Sequence, residues 1–555
     1  MTRRVLRYLV FCAAGVGIPQ PSLKGQEPTP VIPPPATSSS ISPIRVTEKP
    51  IAFTPIEEAQ NLYLMGEFDQ AVERYQSLIR GGADDAVAYA GMARAYLKLE
   101  KPDKAYTAAS KAVELDPFLA TAHSALGEVY FRQGQLYEAQ TRFLFPFKQG
   151  QQDARSYLGL ARLYLASFNS KRAKVAIDKA YSLSPHDPEI SGEWLNTRPI
   201  PEQIKAMEAL LASPSGFYSR RAVADIRHRL AMMKDEVEHP ERTCSLVNPP
   251  ERDEMPLVLA GNADHPSRML ALEVAVNGAK SKLVIGTGEQ GIVINGKIAR
   301  KAHVEAIIRT DEEGLGKENP PESYAGFVRS IKVGAFEFRN CYLTVDERVA
   351  PGSYFDYFDG SIDAVYFHNY LVDLDMPHAR LRLEPLPQRP ATEDQDGEQM
   401  NWTDPDAAKF HDRYTAPDMS TWTQLYRFGN LLAVPTQFNE SPPELFDIST
   451  AAERNVISAD FARNWATLEG TAPPMFGING RIDNRFTGTA KLQFAGLVFY
   501  STAENSADLT TVNERVGTQI EGTLGFEVLH NLRTEIDYRD GLIHFENGPA
   551  YYTPH

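Results

Sequence analysis

Cysteine is nearly absent. The chain has three among 555 residues, Cys12, Cys244 and Cys341, too few for a disulfide-dense scaffold or a cysteine-rich metal cluster. Long apolar runs are missing too. Past the first 20 residues no uninterrupted apolar stretch of about 18 residues occurs, which excludes an ordinary polytopic helical membrane protein. Basic excess is also lacking. Lys and Arg number 57 against 72 Asp and Glu, a net charge of −15, whereas a general nucleic-acid binder needs the opposite local balance. An HExxH motif, a CxxC pair, a P-loop and a GxSxG elbow do not occur. No metal and no cofactor is expected.

What is present is ordinary globular material. Apolar residues make up 43% and charged residues 23%, enough for large cores. The length asks for several folding units. The chain opens Met1-Thr2-Arg3-Arg4, and the stretch from Val5 to Ile18 is apolar apart from Arg7. A basic start before an apolar stretch is the layout of a secretory signal. Residues 1–23 are therefore expected to be a signal peptide or an uncleaved anchor, and the protein exported, periplasmic or extracellular. No clean A-x-A cleavage site is visible, and Phe11 before Cys12 fits a lipoprotein signal poorly. With Cys12 removed, Cys244 and Cys341 either pair in an oxidising compartment or stay as two structural thiols. Residues 24–55, rich in Pro, Ser and Thr, cannot bury a core and form an extended linker.

From about 55 to 185 the sequence repeats. Ala71, Ala105, Ala139 and Ala173 are spaced by 34 each time, as are Tyr96, Tyr130 and Tyr164, and Tyr89, His123 and Tyr157. Two helical patterns in each unit flank a short polar turn. This helix–turn–helix period resembles the tetratricopeptide repeat. The small residues let helices approach closely, and the tyrosines fill the gaps. The resemblance implies an all-α solenoid over 56–240, with three full units, a partial first unit and capping helices after 186. Family members hold peptides or proteins on the concave face of such arrays; a spacer or oligomerisation face is the other reading. The sequence displays no cluster of basic side chains of the kind that clamps a C-terminal carboxylate.

After Pro249-Pro250, apolar–polar alternation, β-branched residues and glycine turns predict strands. A second internal repeat follows. Asp359-Gly360-Ser361-Ile362 through Leu383-Glu384 aligns without gaps on Glu521-Gly522-Thr523-Leu524 through Phe545-Glu546, so that His368-Asn369 falls on His530-Asn531 and Asp375 on Asp537. Two related modules are read, 250–386 and 424–547, joined by a linker over 387–423.

Each module opens on an apolar strand and a tight Thr-containing loop: Leu283-Val284-Ile285-Gly286-Thr287-Gly288, and Leu445-Phe446-Asp447-Ile448-Ser449-Thr450-Ala451. Strand, loop and later glycine element together resemble the retropepsin-like aspartic protease family. The resemblance implies an all-β, barrel-like, pseudo-two-fold bilobal domain following the α-solenoid. It also implies a dyad of facing aspartates at the positions held here by Gly286 and Ser449. Two carboxylates must share a proton to activate water; glycine has no side chain and a serine hydroxyl no useful basicity. Only the flanking Thr287 and Thr450 are kept, whose counterparts brace the two loops. Ala451 replaces a loop glycine, and Asp363 stands where the second copy has Gly525. Asp447, Glu289 and Asp363 are nearby acids, each read as a solvated or turn-capping carboxylate, and His368 and His530 are read as structural caps.

The expected function is therefore a non-catalytic exported binding scaffold. The repeats, carrying Tyr96, Tyr130, Tyr164, Ala105, Ala139 and Ala173 as structural positions, would hold a protein or peptide partner on their concave face. The protease-like cleft would hold an extended peptide through backbone hydrogen bonds. No nucleic-acid partner is expected, and a membrane only through the N-terminal anchor. The alternatives are an active aspartic-type endopeptidase and a purely architectural envelope component.

Overall fold

The computed structural model describes residues 53–548 apart from 83–84, 213–216, 219, 262–268, 289–290, 310–322, 348–357, 390–413, 472–474, 478–479, 483–484 and 502. The expected leader, nearly all of the N-terminal linker and Glu289 lie outside the described residues. Among the described residues no helix is long and apolar enough to cross a membrane.

Four antiparallel helix pairs open the fold: α1 (Pro55–Leu64) with α2 (Phe68–Arg80), α3 (Ala86–Lys98) with α4 (Pro102–Leu115), α5 (Ala120–Arg132) with α6 (Leu136–Lys148), and α7 (Ala154–Ala166) with α8 (Ser170–Leu183). The first unit is complete rather than partial, although α1 has only 10 residues. Its start is fixed by a capping box: the Glu57 amide donates to Thr54 Oγ1 (3.4 Å), and the Thr54 amide donates to Glu57 Oε2 (2.7 Å). Asp85 and Asp153 cap α3 and α7 in the same sense.

The 34-residue period has a backbone meaning as well. Each pair turns on one left-handed residue, Gly66, Glu100, Gly134 and Phe168, with φ of 86°, 55°, 76° and 62°. Glycine adopts this conformation freely; Glu100 and Phe168 do so at a steric cost. The periodic alanines Ala71, Ala105, Ala139 and Ala173 are fully buried where helices cross, and Tyr96 and Tyr164 are buried beside them. The ring of Phe143 on α6 wedges between α5 and α7 because glycine faces it on both sides. A Cβ on Gly127 would lie 2.6 Å from that ring, and one on Gly159 2.2 Å. Three further helices, α9 (Pro188–Leu195), α10 (Ile200–Ala212) and α11 (Arg220–Glu238), follow the pairs.

The remaining chain is β-rich and built twice to one plan. In the first module strand Gly360–Asp363 runs parallel to Ala279–Gly286 and antiparallel to Ile292–Asn295. In the second, Gly522–Leu524 runs parallel to Glu444–Ile448 and antiparallel to Val456–Ser458. The modules then share a six-stranded sheet. At its centre Tyr370–Asp375 of the first pairs with Leu532–Asp537 of the second, Val372 opposite Ile536 and Asp373 opposite Glu535. Arg533 clamps this seam, its Nε and Nη2 each 3.0 Å from the Asp373 carboxylate.

One strand of the first module precedes residue 250. Ser245–Val247 pairs antiparallel with the strand Phe336–Asp346, and Cys244 is disulfide-bonded to Cys341 beside it. Of the two readings left open for these cysteines, the bonded one holds.

Candidate functional site

The two Thr-containing loops meet between the modules. Thr287 Oγ1 donates to the carbonyl oxygen of Ile448 (2.7 Å), and Thr450 Oγ1 donates to that of Ile285 (2.7 Å). The Thr450 amide closes the exchange by donating to Thr287 Oγ1 (3.2 Å). Both threonines are buried. Gly288, left-handed at φ 84°, lets the first loop sit against the second module: a Cβ there would lie 3.0 Å from the Asn430 carbonyl oxygen. The lock therefore fixes Gly286 and Ser449, each one residue before its threonine, on facing loops. Gly286 supplies backbone only, and Ser449 a half-buried hydroxyl.

The neighbouring acids among the described residues are buried rather than solvated. Asp363 is the ladder partner of Gly286 and is buried, but its Oδ1 accepts from the Val365 amide (2.9 Å) and caps the short helix Ala364–Phe367. It is a turn cap and not a solvated group. Burial first, and the Asp363 charge second, push the Tyr366 and Tyr538 hydroxyls up, so both stay protonated. Asp447 is buried in strand Glu444–Ile448, one strand position behind the loop. His368 and His530 follow short helices in the two modules, and each ring lies against a helix carbonyl, Nδ1 at 3.0 Å from the Val365 oxygen and 2.9 Å from the Phe526 oxygen. Among the described residues no group of acids, histidines or cysteines is arranged to hold a metal ion.

A second polar centre lies on the first helices of the repeat pairs. A cavity of about 60 Å³ is lined by Arg94, Lys98, Glu128, Arg132, Arg162 and Glu189, among others. The cations are matched by acids: Arg155 pairs with Asp187 (2.6 Å) and Glu189, Lys98 with Glu189, and Arg94 with Glu128 (3.1 Å). Burial, followed by Arg162 and Arg155, pushes Lys98 down to about 7, and burial pushes Tyr63 up to about 12. The sequence did carry a signal, since Arg94, Glu128 and Arg162 stand at the 34-residue spacing, as do Lys98 and Arg132. Their partners Asp187 and Glu189 come from α9 and its cap, outside the four helix pairs.

This same surface receives the chain's own second module. Thr518 Oγ1 donates to the Phe131 carbonyl (2.7 Å), and Arg132 Nη1 to the Asn513 carbonyl (2.7 Å). Phe131 meets Phe428 edge-on, at 6.2 Å between ring centres. Val516 and Ile520 join the core of the third and fourth helix pairs, and Gly517 lines the cavity. Residues 513–520 thus pack against the repeat helices at the C-terminal end of α5.

A tetratricopeptide repeat family model matches residues 86–118 and 154–187, so the chain contains these repeats, the class that serves as protein–protein interaction scaffolds. No curated protein matches. Among solved structures, a thermophilic tetratricopeptide repeat protein of Thermus thermophilus is 18% identical, with 32% of this chain and 97% of that one covered at a TM-score of 0.25. A retropepsin-like aspartic protease from Rickettsia conorii is 18% identical over 25% of this chain and 92% of its own, at 0.17. Conglutin gamma, a basic 7S globulin from lupine seeds, is 10% identical over 54% and 96%, at 0.29. Each likeness is slight and partial.

Proposed function

We propose that this chain is an exported, non-catalytic binding scaffold with a degenerate retropepsin-like unit. The observation that carries the reading is the threonine exchange around Gly286 and Ser449. The loops are braced as in a working dyad, yet neither dyad position offers a carboxylate to polarise water. On this reading an extended peptide would bind over the two loops through backbone hydrogen bonds, by strand addition. The repeat array seats the second module through Phe131 and Arg132 and presents its remaining surface to a protein partner. The Cys244–Cys341 bond supports export, because such bonds persist in oxidising compartments.

The test is a paired assay on the purified full chain. Extended peptides are screened for binding by fluorescence polarisation, and bound peptides are followed by mass spectrometry from acid to neutral pH. Saturable binding without cleavage supports the reading. Hydrolysis stopped by an aspartic-protease inhibitor overturns it.

A further inference from the structure

The two modules carry the same hairpin, but its outer edge is covered in one and open in the other. In the first module Phe336–Asp346 folds back on Ser323–Val333 through a two-residue turn, Val333 opposite Phe336. In the second, Leu497–Ser501 folds back on Ala490–Phe494, Phe494 opposite Leu497. An asparagine fixes the equivalence. Asn277 donates its amide to the Ser330 carbonyl (2.8 Å), and its Oδ1 accepts from the Ser330 amide (3.1 Å). Asn439 does the same to Lys491, at 2.8 Å for both bonds. Ser330 faces Arg339 across its hairpin, and Lys491 faces Tyr500. Arg339 therefore corresponds to Tyr500, and Glu337 to Val498.

Because Lys491 spends its backbone groups on Asn439, the Lys491–Tyr500 pair is a non-hydrogen-bonded one, and the N–H and C=O of Tyr500 point away from the hairpin. Those of Val498, two residues back, point the same way. In the first module the matching groups are taken by Ser245–Val247, which pairs with Glu337, Phe338 and Arg339 and is tethered by the disulfide. In the second module Leu497–Ser501 ends its sheet, and among the described residues no strand covers it. The side chains have changed to match. The exposed positions of the covered edge are the ion-paired Glu337 and Arg339; their counterparts Val498 and Tyr500 are apolar and 45% and 75% exposed. An uncharged, unpaired edge of this kind is a template for strand pairing.

We propose that this edge pairs with the same edge of a second copy. The segment Leu-Val-Phe-Tyr-Ser has no charge, so two copies do not repel locally despite a net charge of −15. Antiparallel pairing about Phe499 sets Val498 against Tyr500 of the other copy, twice, an aromatic–β-branched pair on the exposed face. It also gives each outward N–H and C=O of both residues a partner. The contact is isologous, with one patch used by both chains. A five-residue edge is small, so the dimer belongs to the weak, concentration-dependent class.

Sedimentation velocity on the full chain tests this. The apparent mass should approach twofold that of the monomer by about 100 μM. Val498→Lys with Tyr500→Lys places like charges opposite each other and should return the chain to a monomer. Val498→Lys with Tyr500→Glu places each lysine against a glutamate of the other copy and should restore the dimer. A wild-type chain that stays monomeric, including one that takes up a foreign extended peptide at this edge, overturns the proposal. So does a dimer indifferent to the double lysine variant, or a lysine–glutamate variant that fails to re-form it.

Discussion

Thr287 and Thr450 each donate a hydroxyl hydrogen bond to the other loop's backbone, at the same distance of 2.7 Å. The equality marks a local two-fold relation between modules whose loop sequences differ at almost every other position. Replacing Thr287 by Val keeps the shape and removes the hydroxyl. It strands the Ile448 carbonyl and the Thr450 amide, at an expected loss of about 1–3 kcal/mol. Urea unfolding of T287V, T450V and the double variant should show a non-additive pair, as expected for one shared network.

Installing carboxylates at Gly286 and Ser449 together is not expected to give proteolysis. Gly286 is the ladder neighbour of Asp363, so a new acid there meets a buried acid already present. The second loop also carries Ala451 where the first has Gly288. Digestion of a denatured substrate protein at acidic pH checks this, and appreciable turnover by G286D with S449D would count against broad erosion of the site.

Glu504 gives a pH signature. It is fully buried, with Asn455 Nδ2 3.3 Å from its Oε1. Burial first, then the Glu527 charge, push its carboxyl up from 4.5 to about 7. The folded state therefore holds a proton that the unfolded chain releases. Its contribution is present below pH 4.5 and lost as pH rises through 7. Glu504→Gln, which imitates the protonated form, should raise the melting temperature at pH 8 and leave it unchanged at pH 4.5.

Gly159→Ala should cost roughly 1–3 kcal/mol by overpacking, because the Phe143 ring leaves no room for a methyl group. Thermal unfolding followed by circular dichroism at 222 nm measures it, and Phe143→Leu in the same background should recover part of the loss.

Removing the disulfide by Cys244→Ser with Cys341→Ser should lower stability by about 2–5 kcal/mol, given a span of 97 residues. Hydrogen exchange should show the loss first at Ser245–Val247, since these three residues then hold their edge by strand pairing alone.

The helical half was legible because one period governs its backbone. The same spacing that places Ala105 and Ala139 in helix crossings also places the left-handed turn residues Glu100 and Gly134. The inner-face charges share that period. Their alternation of sign, Arg94 then Glu128 then Arg162, hid them, and Asp187 and Glu189 complete the set only in three dimensions. The doubled β-module was readable from the gapless match of 359–384 on 521–546. What the match left unread was pairing between modules, such as Val372 with Ile536, because alternation within a strand does not name its neighbour. Ser245–Val247 was missed for a related reason: three residues make no pattern, and only the bond from Cys244 places them.

The seam between Tyr370–Asp375 and Leu532–Asp537 has a consequence for dissection. Neither half owns both sides of that central ladder, so a lone half would expose a row of unsatisfied amides and carbonyls. A polypeptide bearing one copy alone would have to self-associate to pair that strand. Cutting the chain in two for separate expression would create that dependence, each fragment seeking the other.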